Sequence, residues 1–144
     1  MRILLVNWAN LADGTASGGG VNGYCLSLGL DLAALGHDVV YLSSGQTYRP
    51  ARGKNTPGPL EIRRLPDIQG IRVFDIVNSP VLSPSFFQFT DPEGEISAPE
   101  LEAAVADFCR VVQPDVVHFH NIEGYSAGCV DAVRATSGTR PAPK

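Results

Sequence analysis

The side chains in this sequence best placed to do chemistry are two histidines. His118 and His120 alternate with Val117 and Phe119 in the run DVVHFH (115–120), and residues two apart in an extended strand project to one face. If that strand is parallel, its C-terminal end lies where open α/β sheets hold their ligands. An imidazole there can pass a proton, exchange hydrogen bonds or bind a metal, or it can be a packed core side chain with no further role. A metal is the weaker idea, since no third His, Cys or carboxylate clusters with the pair at suitable spacing. His120 stands nearer the crevice than His118.

The second candidate is Gly18-Gly19-Gly20-Val21-Asn22-Gly23, which has GxGxxG spacing ahead of a helical pattern. In the dinucleotide fingerprint the first glycine turns the chain directly off the first strand, and an Asp or Glu ends the second strand. Here Gly18 lies far beyond Val6, and the second strand ends Leu42-Ser43-Ser44-Gly45. Both departures count against NAD and an oxidoreductase. Glycines at a helix N-terminus still let backbone amides approach a phosphate, favoured by the helix dipole. The alternative is a turn that merely connects two elements.

Both candidates need a parallel sheet to position them. Arg2–Val6 (RILLV) is a short apolar run of the kind buried on both faces in α/β proteins. A loop follows over Asn7–Gly18. Val21, Cys25, Leu28, Leu32 and Leu35 then step by fours and threes along one helix face, and Gly36 supplies the left-handed stop. Asp38–Leu42 is the second strand, Leu60–Leu65 and Ile71–Val77 are two more, and Asn78–Thr90 is an irregular excursion. Ser97 and Glu100 have capping-box spacing ahead of a helix with Leu101, Val105, Phe108 and Val112 on its buried stripe. Pro114 closes that helix. Asp115–His120 is the histidine strand, and Tyr125–Thr136 the last helix. Such alternation implies right-handed crossovers and a Rossmann-like, three-layer α/β fold with a parallel sheet. The last helix calls for a further strand that Arg140–Lys144 (RPAPK) does not supply, so the reading is a domain over 1–144 truncated before its last strands.

Composition bounds the partners. At 144 residues, 44% hydrophobic and 18% charged, the chain suits one folded domain. The apolar start is broken at Asn7 and is too short for a signal core or a membrane span, so cytoplasmic residence is the default. A net charge of −4 argues against nucleic acid. The charge is uneven, however. Arg49, Arg52, Lys54, Arg63, Arg64 and Arg72 stand with only Glu61 and Asp67 against them, whereas Asp91, Glu93, Glu95, Glu100, Glu102 and Asp107 have no basic residue among them. Solvated surface is the plain reading of both; a phosphate-bearing acceptor or an anionic membrane surface is the sharper reading of the basic stretch. Cys25, Cys109 and Cys129, odd in number and set in apolar patterns, read as buried thiols.

The run GGVNGYCLSLGLDLAALGHDVVYL (19–42) resembles the first Gly-rich loop, helix and second strand of glycosyltransferase family 4, where GGxNxY, a leucine-patterned helix and a GHxV turn recur. PDVVHFHN (114–121) resembles that family's later histidine strand, and RILLVNW (2–8) its opening. The middle, about Gln46–Pro99, is left unassigned. The resemblance implies a GT-B enzyme, two Rossmann-like domains facing across a cleft. Its N-terminal domain holds the acceptor and its C-terminal domain most of the donor nucleotide. It implies a retaining transfer of a hexose from a nucleotide-diphosphate sugar, a co-substrate and not a cofactor, to a glycan or lipid-linked sugar, without a bound metal. By position, Gly18, Gly19 and Gly20 match the glycines at the donor phosphates, Asn22 and Asn121 the acceptor side, and His118 or His120 the catalytic histidine near the transferred sugar. The family's diphosphate-binding cations and paired glutamates belong to a C-terminal domain absent from these residues. The chain alone is therefore expected to be inactive and to need that domain in cis, with peripheral membrane contact through Arg49–Arg72. The rival reading is a stand-alone, non-catalytic module that binds a phosphorylated sugar or nucleotide.

Overall fold

The computed structural model describes residues 1–83 and 91–137; most of the excursion expected before Thr90, and the proline-rich tail, lie outside them. Strands β1 (Arg2–Val6), β2 (Asp38–Thr47), β3 (Glu61–Arg64), β4 (Arg72–Val77) and β5 (Val116–Phe119) form one sheet in the order β3-β4-β2-β1-β5. The four strands from β4 to β5 are parallel. β3 is antiparallel to β4, which corrects the expectation of a wholly parallel sheet. The link between them is a turn with Gln69 at φ 45° and Gly70 at φ 90°, and a parallel crossover needs a dozen residues or more.

Helices cover both faces. On one, α1 (Thr15–Ala34) packs Cys25, Leu28 and Leu32 against Ile3, Leu5, Val39, Tyr41 and Val73. On the other, α3 (Pro99–Val112) and α4 (Gly128–Ser137) bury Leu101, Val105, Phe108 and Val133 against Leu4, Val6, Val40, Leu42 and Ile76. Alternate residues of β1 thus feed two cores, as the two-residue period of a strand requires. A short helix, α2 (Pro92–Ile96), precedes α3; Asp91 caps it by accepting from the Gly94 amide at 3.1 Å. Among the described residues no helix is long and apolar enough to cross a membrane.

Several local signals act as expected and others do not. Gly36, at φ 83°, ends α1, and its amide bonds the Ala33 carbonyl. β2 runs past Leu42 to Thr47, carrying Ser43 and Ser44 into the interior. Asn7–Gly18 is more ordered than a loop, with a single 3-10 turn at Leu11–Asp13 before α1 begins at Thr15. Ser97 and Glu100 form no capping box. Pro99 opens α3 one residue later, and Glu102 instead accepts from the Ala98 amide at 2.8 Å. α4 starts at Gly128, not Tyr125, because Tyr125 turns inward and donates its hydroxyl to the Leu42 carbonyl at 2.9 Å. All three cysteines are buried and free; burial pushes the Cys25 and Cys109 thiols up to about 11, leaving them protonated and inert.

Candidate functional site

The C-terminal edge of the parallel strands brings the two sequence candidates together. α1 is broken at Gly19, with φ 54° and ψ −141°, close to a backbone region that only glycine enters without strain. The helix restarts from Gly20, and the first amides of a restarted helix have no preceding turn to bond. Gly19 and Gly20 are exposed, and a Cβ on either would touch nothing within 4 Å. Gly18 differs, since a Cβ there would stand 2.6 Å from that of Ala9. Its role is to let the helix approach the chain leaving β1.

One turn further along α1, Tyr24 meets His120 edge to face, with ring centroids 5.6 Å apart. His120 stacks in turn on His118 at 3.9 Å, so both rings lie on the α1 face of β5. His118 is exposed and His120 partly buried. Burial first, and the neighbouring His118 second, push the His120 ring down to about 4. It is a neutral imidazole at neutral pH, able to exchange hydrogen bonds with a ligand and adding no positive charge.

Asn22 is fully buried. Its Nδ2 donates to the carbonyls of Asn10 at 2.9 Å and Gly14 at 2.6 Å, and its Oδ1 faces the Tyr41 hydroxyl at 3.1 Å. The side chain thus ties the Gly-rich helix to the segment after β1, and it presents no free polar atom to the crevice. Asn121 is likewise engaged locally. Its Oδ1 accepts from the Glu123 amide at 2.7 Å, and its Nδ2 donates to Glu123 Oε2 at 2.8 Å. That turn delivers Gly124, whose carbonyl accepts from Ser44 Oγ at 2.6 Å. A Cβ on Gly45 would come within 2.8 Å of the Gly124 Cα, so two glycines let the β5–α4 loop lie directly on the end of β2.

Neither a family model, nor a curated protein, nor a solved structure matches this chain. The site is read from its own geometry.

That geometry includes residues sequence reasoning passed over. Asn7, the first residue past β1, is fully buried, as is Tyr41 of β2. Asn7 Nδ2 donates to the Tyr41 hydroxyl at 3.1 Å, and that hydroxyl donates to the Ala9 carbonyl at 2.7 Å. Burial raises the Tyr41 phenol, which stays protonated. A polar residue directly after a buried apolar run was the available signal for Asn7. Further out, Asp75 is buried and accepts from Ser43 at 3.1 Å, Thr47 at 2.7 Å and Arg63 at 2.9 Å. This ion pair holds β3 on the sheet. Among the described residues no group of three or more His, Cys, Asp or Glu side chains is placed to hold a metal ion.

The basic stretch is largely neutralised by folding. Arg49 pairs with Glu61 at 3.2 Å, Arg63 with Asp75 at 2.9 Å, Arg64 with Asp67 at 2.9 Å and Arg72 with Asp38 at 2.8 Å. Arg52 and Lys54 stay exposed, with no ion pair among the described residues. Burial works to raise the Asp38 carboxyl, but hydrogen bonds from Arg2 and Arg72 and the charge they bring outweigh it and hold it below the usual range.

Proposed function

We propose that this chain is the acceptor-side, N-terminal domain of a retaining, nucleotide-sugar-dependent glycosyltransferase of family 4 with GT-B architecture. The supporting observation is the Tyr24–His120 contact, which brings the Gly19–Gly20 helix start beside the strand-end histidines on one edge of the sheet. In such a transfer the bond from the anomeric carbon to the leaving phosphate breaks, and the nucleotide diphosphate departs with the electron pair. The acceptor hydroxyl bonds to the same face, and its proton goes to the departing phosphate. Positive charge develops on the sugar and negative charge on the phosphate. Helix-start amides stabilise the second, while a neutral His120 can hold a sugar hydroxyl without opposing the first. The cations that complete phosphate stabilisation belong to the second domain, so the 144 residues alone are inactive. Cytoplasmic residence, with membrane contact through Arg52 and Lys54, belongs to the same proposal.

Calorimetry of the chain against UDP- and GDP-sugars, with and without a C-terminal donor domain, tests it. Weak or no binding by the chain alone, and transfer with retained anomeric configuration when the second domain is present, are expected. Micromolar binding by the chain alone, about −8 kcal/mol, overturns the divided site and favours a stand-alone binding module.

A further inference from the structure

Away from the histidines, a cavity of about 590 Å³ lies between α3 and the outer strands β3 and β4, within the size range of small-molecule sites. Its floor is Ile62 and Phe74, with Leu60 just ahead of β3, and its wall is Ala104, Phe108 and Val111 of α3. The opening has a topological cause. No helix stands between β2 and β4 among the described residues, so the width that β3 adds to the sheet has only the flank of α3 over it. Phe74 and Phe108 meet edge to face across that junction, ring centroids 5.0 Å apart, and Val111 is left 83% exposed.

One end of this apolar trough carries charge. Arg2 and Arg72, at the starts of β1 and β4, both line it and share a single carboxylate. Arg2 Nε donates to Asp38 Oδ2 at 2.6 Å and Arg72 Nη2 to Asp38 Oδ1 at 2.8 Å. Arg2 Nη1 also donates to the Val112 carbonyl. A guanidinium has five N–H groups, and Arg2 Nη2 and Arg72 Nη1 have no acceptor among the described residues. The other carboxylates of the lining, Glu61 and Asp107, pair with Arg49 and Arg110. Asp115, which accepts from the Arg2 amide at 2.7 Å, is not part of the lining. The trough therefore ends at one surplus positive charge.

We propose that it binds an unbranched medium-chain monocarboxylate, the chain along Phe74 and Phe108 and the carboxylate on the unused N–H groups of Arg2 and Arg72. A planar carboxylate matches the guanidinium fork, and its one negative charge balances the one in surplus. From Arg72 to Ile76, which pairs with Ile62, β4 advances about 13 Å, the reach of decanoate. The site lies apart from the glycine turn and the histidines, and it does not rest on the transferase reading.

Calorimetry of the whole chain at pH 7 with octanoate, decanoate and dodecanoate tests the chain seat, and decanol and acetate separate chain from head. Affinity is expected to rise about tenfold with each pair of methylenes. Decanol is expected to bind about tenfold more weakly than decanoate, the scale of a charged hydrogen bond, and acetate to give no heat. Decanol as tight as decanoate, or no binding by any of the acids, overturns the proposal. Arg72→Gln is expected to weaken decanoate about tenfold and to leave decanol unchanged, so decanol reports whether the trough itself has survived. Val111→Glu, at an exposed position that the fold does not depend on, adds a negative charge to the wall and is expected to weaken decanoate similarly; an unchanged affinity there overturns the site even if Arg72→Gln does not fold. Acids that fail to bind while Val111→Glu lowers the apparent mass in light scattering would make the trough a contact between copies of the chain, which overturns the ligand as well.

Discussion

His120 shows how far burial, with a second imidazole stacked against it, can retune a side chain. Its ring, pushed down to about 4 from an ordinary 6.5, is neutral in the folded chain over a range in which the unfolded chain takes up a proton. Between these values the unfolded state binds more protons, so stability rises with pH. The contribution is fully present above about pH 6.5 and is lost as pH falls toward 4. Asp38 and Glu102, whose carboxyls are held below 3.8 and 4.5, lose their contribution only at the acid end. Melting temperatures between pH 7 and 5 are therefore expected to fall for the wild type and to fall less for His120→Gln. Equal slopes for the two proteins would show that His120 does not carry the acid sensitivity.

Within α1, three consecutive glycines have three different physical reasons. Gly18 is a close contact with Ala9, Gly19 is a backbone conformation, and Gly20 is exposed helix. Gly19→Ala meets no atom within 4 Å, so its cost is conformational strain alone, about 1–3 kcal/mol. Gly20→Ala, on a helical residue in open space, is expected to be neutral or to stabilise by about 0.5–1 kcal/mol. Chemical denaturation of both variants checks this. Equal effects would mean that the break at Gly19 is not a required feature of the helix. The acidic stretch is likewise organised by elements. Asp91 caps α2, Glu100 and Glu102 sit in the first turn of α3 where the helix dipole favours them, and Asp107 pairs with Arg110.

At the scale of the whole molecule, the two edges of the sheet differ. β3 presents Glu61, Arg63 and Arg64, the charged protection that keeps edge strands from pairing. β5 reads Val-Val-His-Phe, carries no charged residue, leaves Val116 42% exposed, and has no described strand on its outer side. Self-association through β5 is the expected outcome, visible as rising apparent mass in light scattering over a concentration series. Val116→Lys should suppress it. A chain that stays monomeric throughout would show that the β5 edge is protected without charge.

Much of this architecture was legible in the residues. Strand periods, the α1 face, the Gly36 stop and the shared face of His118 and His120 depend on neighbours within a few positions, and short-range sterics encode them locally. The capping of α3 was misread because Pro99 and Glu102, one step along, compete for the same helix start. Sequence neighbours set Glu61 and Asp67 against the basic stretch, yet Asp38 and Asp75 are the carboxylates that pair with Arg72 and Arg63. Strand order, the antiparallel turn into β3 and those ion pairs join residues distant in the chain, and no local period records which of the compatible closures buries the most apolar surface. Asn7 belongs to the same class. Its type and its place after β1 are sequence facts, but the Asn22–Tyr41–Asn7 relay exists only once β1, β2 and α1 have met.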